Sequence, residues 1–177
     1  ARNLEAIYDI ATALRAFRVV QDRHPGAELF IAGTGPEERS LRELAEQLGV
    51  DRSVRFTGRL EPDEVAALLR DCHVALNPSR VDNSPNSVLE ALASGVPVVS
   101  TRVGGVPYIV EHEESAMLVP PGDPAAMAAA VLRLLDDAVL AARLRGAGLR
   151  LVGRYAWESV GPLLADTYRR AMVGAAA

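Results

Sequence analysis

Cysteine is all but absent from the 177-residue sequence, with Cys72 the only one. An intrachain disulfide and a cysteine-based zinc site are therefore both excluded. Histidine is nearly as scarce: His24, His73 and His112 lie far apart and form no local metal-ligand cluster. Long apolar runs are missing too. The longest, Ala125 to Leu132, is cut by Arg133, far short of the roughly 20 residues a membrane-spanning helix needs. The first residues, Ala1-Arg2-Asn3-Leu4-Glu5, hold neither a cleavable hydrophobic stretch nor an initiator Met. The expectation is a fragment of a longer protein working in a reducing cytoplasm. Nor is there a basic excess. The net charge is −4 and the isoelectric point about 5.4, so no nucleic-acid partner is expected.

What the sequence has is apolar content, 49% hydrophobic residues, too much for a disordered chain and enough for one domain with a sizeable core. Short β-branched runs alternate with helical segments. Ile10, Leu14, Phe17 and Val20 recur at helical spacing, which predicts a helix from Tyr8 to about His24. Strands are expected at residues 28–32, 53–56, 73–77, 97–100 and 116–119. Helices are expected from Pro36, over residues 61–71 and 87–94, and as a helical turn at residues 107–110. Three more helices follow from Asp123 onward, broken near Asp136-Asp137 and Gly153. Leu132, Leu134, Leu135, Leu163 and Leu164 are expected in the core of these last helices. His73 and Cys72 are expected to be packed. Strands alternating with helices require right-handed crossovers and a parallel sheet. The predicted fold is a doubly wound, Rossmann-like α/β domain with helices on both faces. Ligands bind such folds at the carboxyl ends of the strands.

The loops that follow strands are therefore the ones to read. The richest runs Pro78-Ser79-Arg80-Val81-Asp82-Asn83-Ser84-Pro85-Asn86-Ser87-Val88-Leu89-Glu90 and enters a helix. The amides of a first helical turn lack partners, and the helix dipole adds about half a positive charge there, which suits a phosphate. Glu90, just inside the helix, can accept two hydrogen bonds from a vicinal diol such as a ribose, and Asp82 can reach a second polyol. The same residues support a purely structural reading. Ser87-x-x-Glu90 is also a capping box, Ser84-Pro85 can cap the helix one turn earlier, and residues 82–85 can form an ordinary turn. Gly104-Gly105 either lets a ligand approach the backbone or relieves crowding before the next helix. Gly33-x-Gly35 reads as a tight turn. Glu111-His112-Glu113-Glu114 reads as a solvated turn, and Arg59 as a solvated loop residue or a contact to base or phosphate.

Asp82 and Glu90 are separated by seven residues, and Leu89-Glu90-Ala91-Leu92-Ala93-Ser94-Gly95-Val96-Pro97-Val98-Val99 follows. This stretch resembles the signature of the retaining glycosyltransferases of family 4, or group 1, which have the two-domain GT-B architecture. Ile31 to Pro36, Val103 to Pro107, Leu118 to Pro124 and Tyr155-x-Trp157 look like the same family, in order and at matching spacing. The resemblance implies the carboxyl-terminal, donor-binding half of such an enzyme, spanning residues 1–177, with the amino-terminal acceptor domain absent. It implies that Asp82 and Glu90 are the catalytic pair, Glu90 on the donor ribose and Asp82 facing the donor sugar. Ser79, Asn83, Ser84, Pro85 and Leu89 would line the donor site, with the amides near Asn86, Ser87 and Val88 on the diphosphate. Gly58, Arg59 and Leu60 would lie beside the base. Two positions depart from the family pattern. The first acid is usually Glu, one methylene longer than Asp82. The Arg and Lys that usually hold the diphosphate follow the first strand of the domain, which precedes this chain; Arg2 can match the Arg, but the Lys position falls on Ile7.

Transfer from a nucleotide sugar expels a diphosphate, whose growing charge needs a metal, cationic side chains or oriented N–H groups. No Asp-x-Asp is present, so no metal or other cofactor is expected. The expected donor is a UDP- or GDP-sugar, used in metal-independent transfer with retention. A peripheral membrane contact, if made, would come through the missing half. The alternatives are a non-catalytic nucleotide-binding or regulatory module on the same fold, and a nucleotide-sugar epimerase or other GT-B relative.

Overall fold

The computed structural model describes residues 3–174. A short 3-10 turn (Ala6–Tyr8) leads into α1 (Ile10–Arg23), β1 (Leu29–Ala32), α2 (Glu38–Gln47), β2 (Val54–Gly58) and α3 (Pro62–Asp71). Then come β3 (Ala75–Asn77), α4 (Asn86–Ala93), β4 (Val98–Thr101), α5 (Val106–Ile109) and β5 (Met117–Val119). The chain closes with α6 (Pro124–Asp136), α7 (Ala138–Val152) and α8 (Trp157–Gly174). The alternation agrees with the expectation, and boundaries move by a residue or two. Asp123 and Asp137 set the starts of α6 and α7, their carboxylates accepting the N–H groups of Ala126 and Leu140 at 2.9 Å each.

All strand pairing within the two sheets is parallel. The strands form two blocks, β1–β2 and β3–β4–β5. Facing edges of β1 and β3 do not pair. Between them lies an apolar groove of about 870 Å³ lined by side chains such as Phe17, Val20, Ile31, Leu69 and Leu76. Side-chain alternation shows how the larger block is covered. Val99, Met117 and Val119 join the core built with α1, α2, α6 and α7, whereas Val98 and Leu118 join Val88, Ala91, Leu92 and Val106 on the opposite face. Successive strand residues point to opposite faces, so helices bury the sheet on both sides, as a parallel sheet requires.

Three expectations about individual side chains need correction. Leu163 is 70% and Leu164 41% exposed, so these leucines lie on the surface of α8 rather than in the core. The periodic pattern there is real, but a helix at the end of the chain need not bury its apolar stripe within the same domain. His73 is exposed and precedes β3 instead of opening it. Cys72 is only partly buried. Leu134 is buried as expected, and Leu132 and Leu135 pack against the same core.

Candidate functional site

Parallel register builds the floor of the site. Asn77, the last residue of β3, stands opposite Ser100 of β4, and both are buried. The Asn77 amide nitrogen donates to Ser100 Oγ at 3.0 Å and to Asp82 Oδ2 at 3.2 Å. Its carbonyl oxygen accepts from Ser79 Oγ at 2.7 Å. Thr101 Oγ1 donates to the Ser79 carbonyl at 2.5 Å. The loop leaving β3 is thus tied down at both Ser79 and Asp82, and Asp82 is only 8% exposed. Polar groups buried this way stay only when hydrogen-bonded.

The two glycines after β4 press on the same loop. The Gly105 N–H donates to the Asp82 carbonyl at 2.8 Å. A Cβ at Gly104 would collide with the Asp82 backbone, and one at Gly105 with the Asn83 backbone. Gly104 also has φ +49°, a conformation that disfavours other residues. The close approach that these glycines permit is therefore by the protein's own loop.

Helix α4 begins at Asn86, one residue before expectation. Pro85 precedes it with φ −75° and ψ 68°, and the Asn86 N–H donates to the Ser84 carbonyl at 2.8 Å, an inverse γ-turn. Neither capping reading is realised. The N-cap residue is Pro85, which makes no side-chain cap bond, and Ser87 sits inside the helix. The N–H of Val88 donates to the Pro85 carbonyl at 2.9 Å. Two of the three amides expected on a diphosphate, those of Asn86 and Val88, thus already bond within the chain. Val88, Ala91 and Leu92 face the core. That helical phase leaves Glu90 exposed and Leu89 partly buried, with Asn83 and Ser84 on the outside of the loop.

Glu90 stands where two hollows meet. It lines the groove between β1 and β3, together with Pro78 and Ser87. It also lines a cavity of about 480 Å³ shared with Arg59, Leu60, Val65 and Ser94. The loop after β2 and the helix after β3 are distant in sequence, and the structure brings them to one cavity. Gly58 ends β2 immediately before Arg59 and pairs with Gly33 across the strand ends. Arg2 lies outside the described residues. The Ile7 carbonyl accepts the Arg80 N–H at 2.8 Å, and the sequence contains no lysine at all, so only arginine can supply a fixed cation. Arg80 Nε donates to Asp9 at 2.9 Å, which buried Asp9 reinforces by accepting from Thr12 Oγ1.

Sequence reasoning passed over Asn77, Ser100 and Asp9. The available signal was an amide side chain closing an apolar strand. No group of three or more acidic, His or Cys side chains suited to a metal ion occurs among the described residues. The turn at Glu111–Glu114 is a built one. Glu113 has φ +61°, His112 Nδ1 accepts the Leu118 N–H at 3.0 Å, and Glu113 pairs with Arg133. Hydrogen bonding to Arg133 holds the Glu113 carboxyl below the usual range, aided by charge attraction to Arg133, His112 and Arg143.

The family is established by comparison with known proteins. The family model described as "Glycosyl transferases group 1" matches residues 3–137. The chain is 34% identical over 172 residues to glycogen synthase of Mycobacterium tuberculosis, covering 97% of this chain and 42% of that protein. It is 36% identical over 170 residues to D-inositol 3-phosphate glycosyltransferase of Acidothermus cellulolyticus, covering 90% and 38%. Among solved structures, HepE of Anabaena in complex with UDP superposes with a TM-score of 0.89 at 19% identity, over 96% of this chain and 47% of that one. At that identity the likeness speaks to fold alone.

The fold and site thus define a Rossmann-like domain of the GT-B kind, and the chain belongs to the group 1 glycosyltransferases. It spans about two-fifths of the length of the curated relatives it matches.

Proposed function

We propose that this chain is the donor-binding domain of a glycosyltransferase that moves a hexosyl group from a nucleotide-diphosphate sugar. The observation that carries the reading is the cavity that Glu90 shares with Arg59 and Leu60. There the Glu90 carboxylate accepts the two hydroxyls of the ribose, and the loop at Gly58, Arg59 and Leu60 lies against the base. The diphosphate then faces the start of α4, where the helix dipole supplies positive potential. Since Asn86 and Val88 already donate within the chain, that potential and arginine side chains carry more of the anion stabilisation than direct amide contacts do. Asp82 sits on the sugar side of the loop. The transfer proceeds without a metal and with retention, and it is completed by an acceptor domain that also closes the cleft.

Two structures of one related protein support the choice of donor. HepE of Anabaena has been crystallised with UDP and with UDP-glucose. A role as a non-catalytic nucleotide module is not favoured by the transferase relatives. Such an enzyme works on the cytoplasmic side, and any membrane contact is made through residues outside this chain. The groove between β1 and β3 fits one further parallel strand, preceding α1 in the way each other strand precedes its crossover helix. Calorimetry with UDP, GDP and ADP tests the reading. Binding of one of them, weakened at least about tenfold by Glu90→Ala, is expected from the loss of hydrogen bonds to a charged group. Binding of none of them overturns it.

A further inference from the structure

We infer that Asn77 is a positioning residue for the donor sugar, acting through Asp82. The inference rests on the donor-domain reading and extends it to a buried side chain beneath the site. Asp82 has a short side chain and is almost fully buried, so its reach to any ligand depends on where its carboxylate is pinned. Asn77 pins it. One amide, buried at the carboxyl end of β3, donates to Asp82 Oδ2 and to Ser100 Oγ and accepts from Ser79 Oγ. That satisfies two donors and one acceptor from a single planar group. The amide plane is therefore fixed by a neighbouring strand, and it fixes one oxygen of the carboxylate in turn. No other residue type performs this task with the same shape. Leucine offers no donor, and aspartate puts a second carboxylate against the first.

Asn77 and Asp82 stand apart from the two hollows at Glu90: neither lines the groove between β1 and β3 or the cavity that Glu90 shares with Arg59 and Leu60. Changes at Asn77 should therefore alter what the sugar adds to affinity and leave the nucleoside diphosphate itself alone.

The experiment measures, on the 177-residue protein, affinity for UDP and UDP-glucose, GDP and GDP-mannose, and ADP and ADP-glucose. The pair with the largest sugar-dependent gain is then used with Asn77→Leu and with Asn77→Asp, which keeps the shape. The expected result is loss of about tenfold in the sugar-dependent gain, the scale of one charge-assisted hydrogen bond, with affinity for the bare diphosphate within twofold. Ser100→Ala, which leaves the Asp82 contact in place, is expected to give a smaller loss and covers the case in which an Asn77 variant does not fold. A merely structural role predicts equal losses for both ligands, or a lower melting temperature alone, and either result overturns the inference. So does a wild-type protein that gains nothing from any sugar, or an unchanged gain in the variants. Failure of every nucleotide to bind instead fails the donor-site reading, which Glu90→Ala tests separately.

Discussion

Glu90 and Arg59 line one cavity although a helix, a strand and a polar loop separate them in sequence. Both residues face that cavity because the loop after β2 and the helix α4 each follow the carboxyl end of a strand. Glu90 is exposed, and the residue that caps its helix is Pro85 rather than Ser87. Replacement of Glu90 should therefore leave stability alone. Glu90→Ala is expected to melt within about 2 °C of the wild type, as exposed substitutions do. Glu90→Gln, which keeps one acceptor, should bind nucleotide better than Glu90→Ala. A large drop in melting temperature for both would return Glu90 to a structural role.

The glycine turn after β4 supports the donor loop by close contact. Gly104→Ala and Gly105→Ala should each destabilise the fold by about 1–3 kcal/mol, the usual cost of overpacking. They should also displace residues 82–83 and weaken donor binding. Denaturant unfolding and calorimetry on the same samples check both expectations.

Glu113 gives a pH signature. Its folded-state pKa lies below the unfolded value because of Arg133. The contribution is therefore present above the ordinary carboxylate range, about 4.3, and disappears as pH falls through the folded value. Glu113→Gln should be less stable than wild type at pH 7, and the difference should shrink as the pH falls below the ordinary carboxylate range. A difference that stays the same as the pH falls would contradict the assignment to this ion pair.

Burial raises the Cys72 thiol above its usual pKa, and Asp71 adds to the effect. Less thiolate means slower alkylation. Iodoacetamide at pH 7.5 should modify the native protein several-fold more slowly than the same protein in urea. Equal rates would show a thiol more accessible than the fold implies.

Leu14 of α1 is fully buried in the main core, whereas Leu163 is 70% exposed on α8. Leu14→Ala should cost about 2–5 kcal/mol, and Leu163→Ala within about 0.5 kcal/mol. Urea midpoints for the pair separate them directly. Comparable losses would mean that the α8 stripe is covered in solution.

The sequence by itself determined the alternation of strands and helices, because periods of two and of 3.6 residues are local properties of a chain. It also marked the loop from Ser79 to Glu90 and the acidic pair within it, since the spacing of residues along the chain is local too. Only the tertiary structure decided that α4 starts at Asn86 with Pro85 as its N-cap, that Asp82 is held from below by Asn77, and that the glycines after β4 make room for a loop. It also placed the leucines of α8 on the surface. Each of these depends on residues far apart in the chain meeting in space, and no pattern along the sequence encodes which partner a side chain will find.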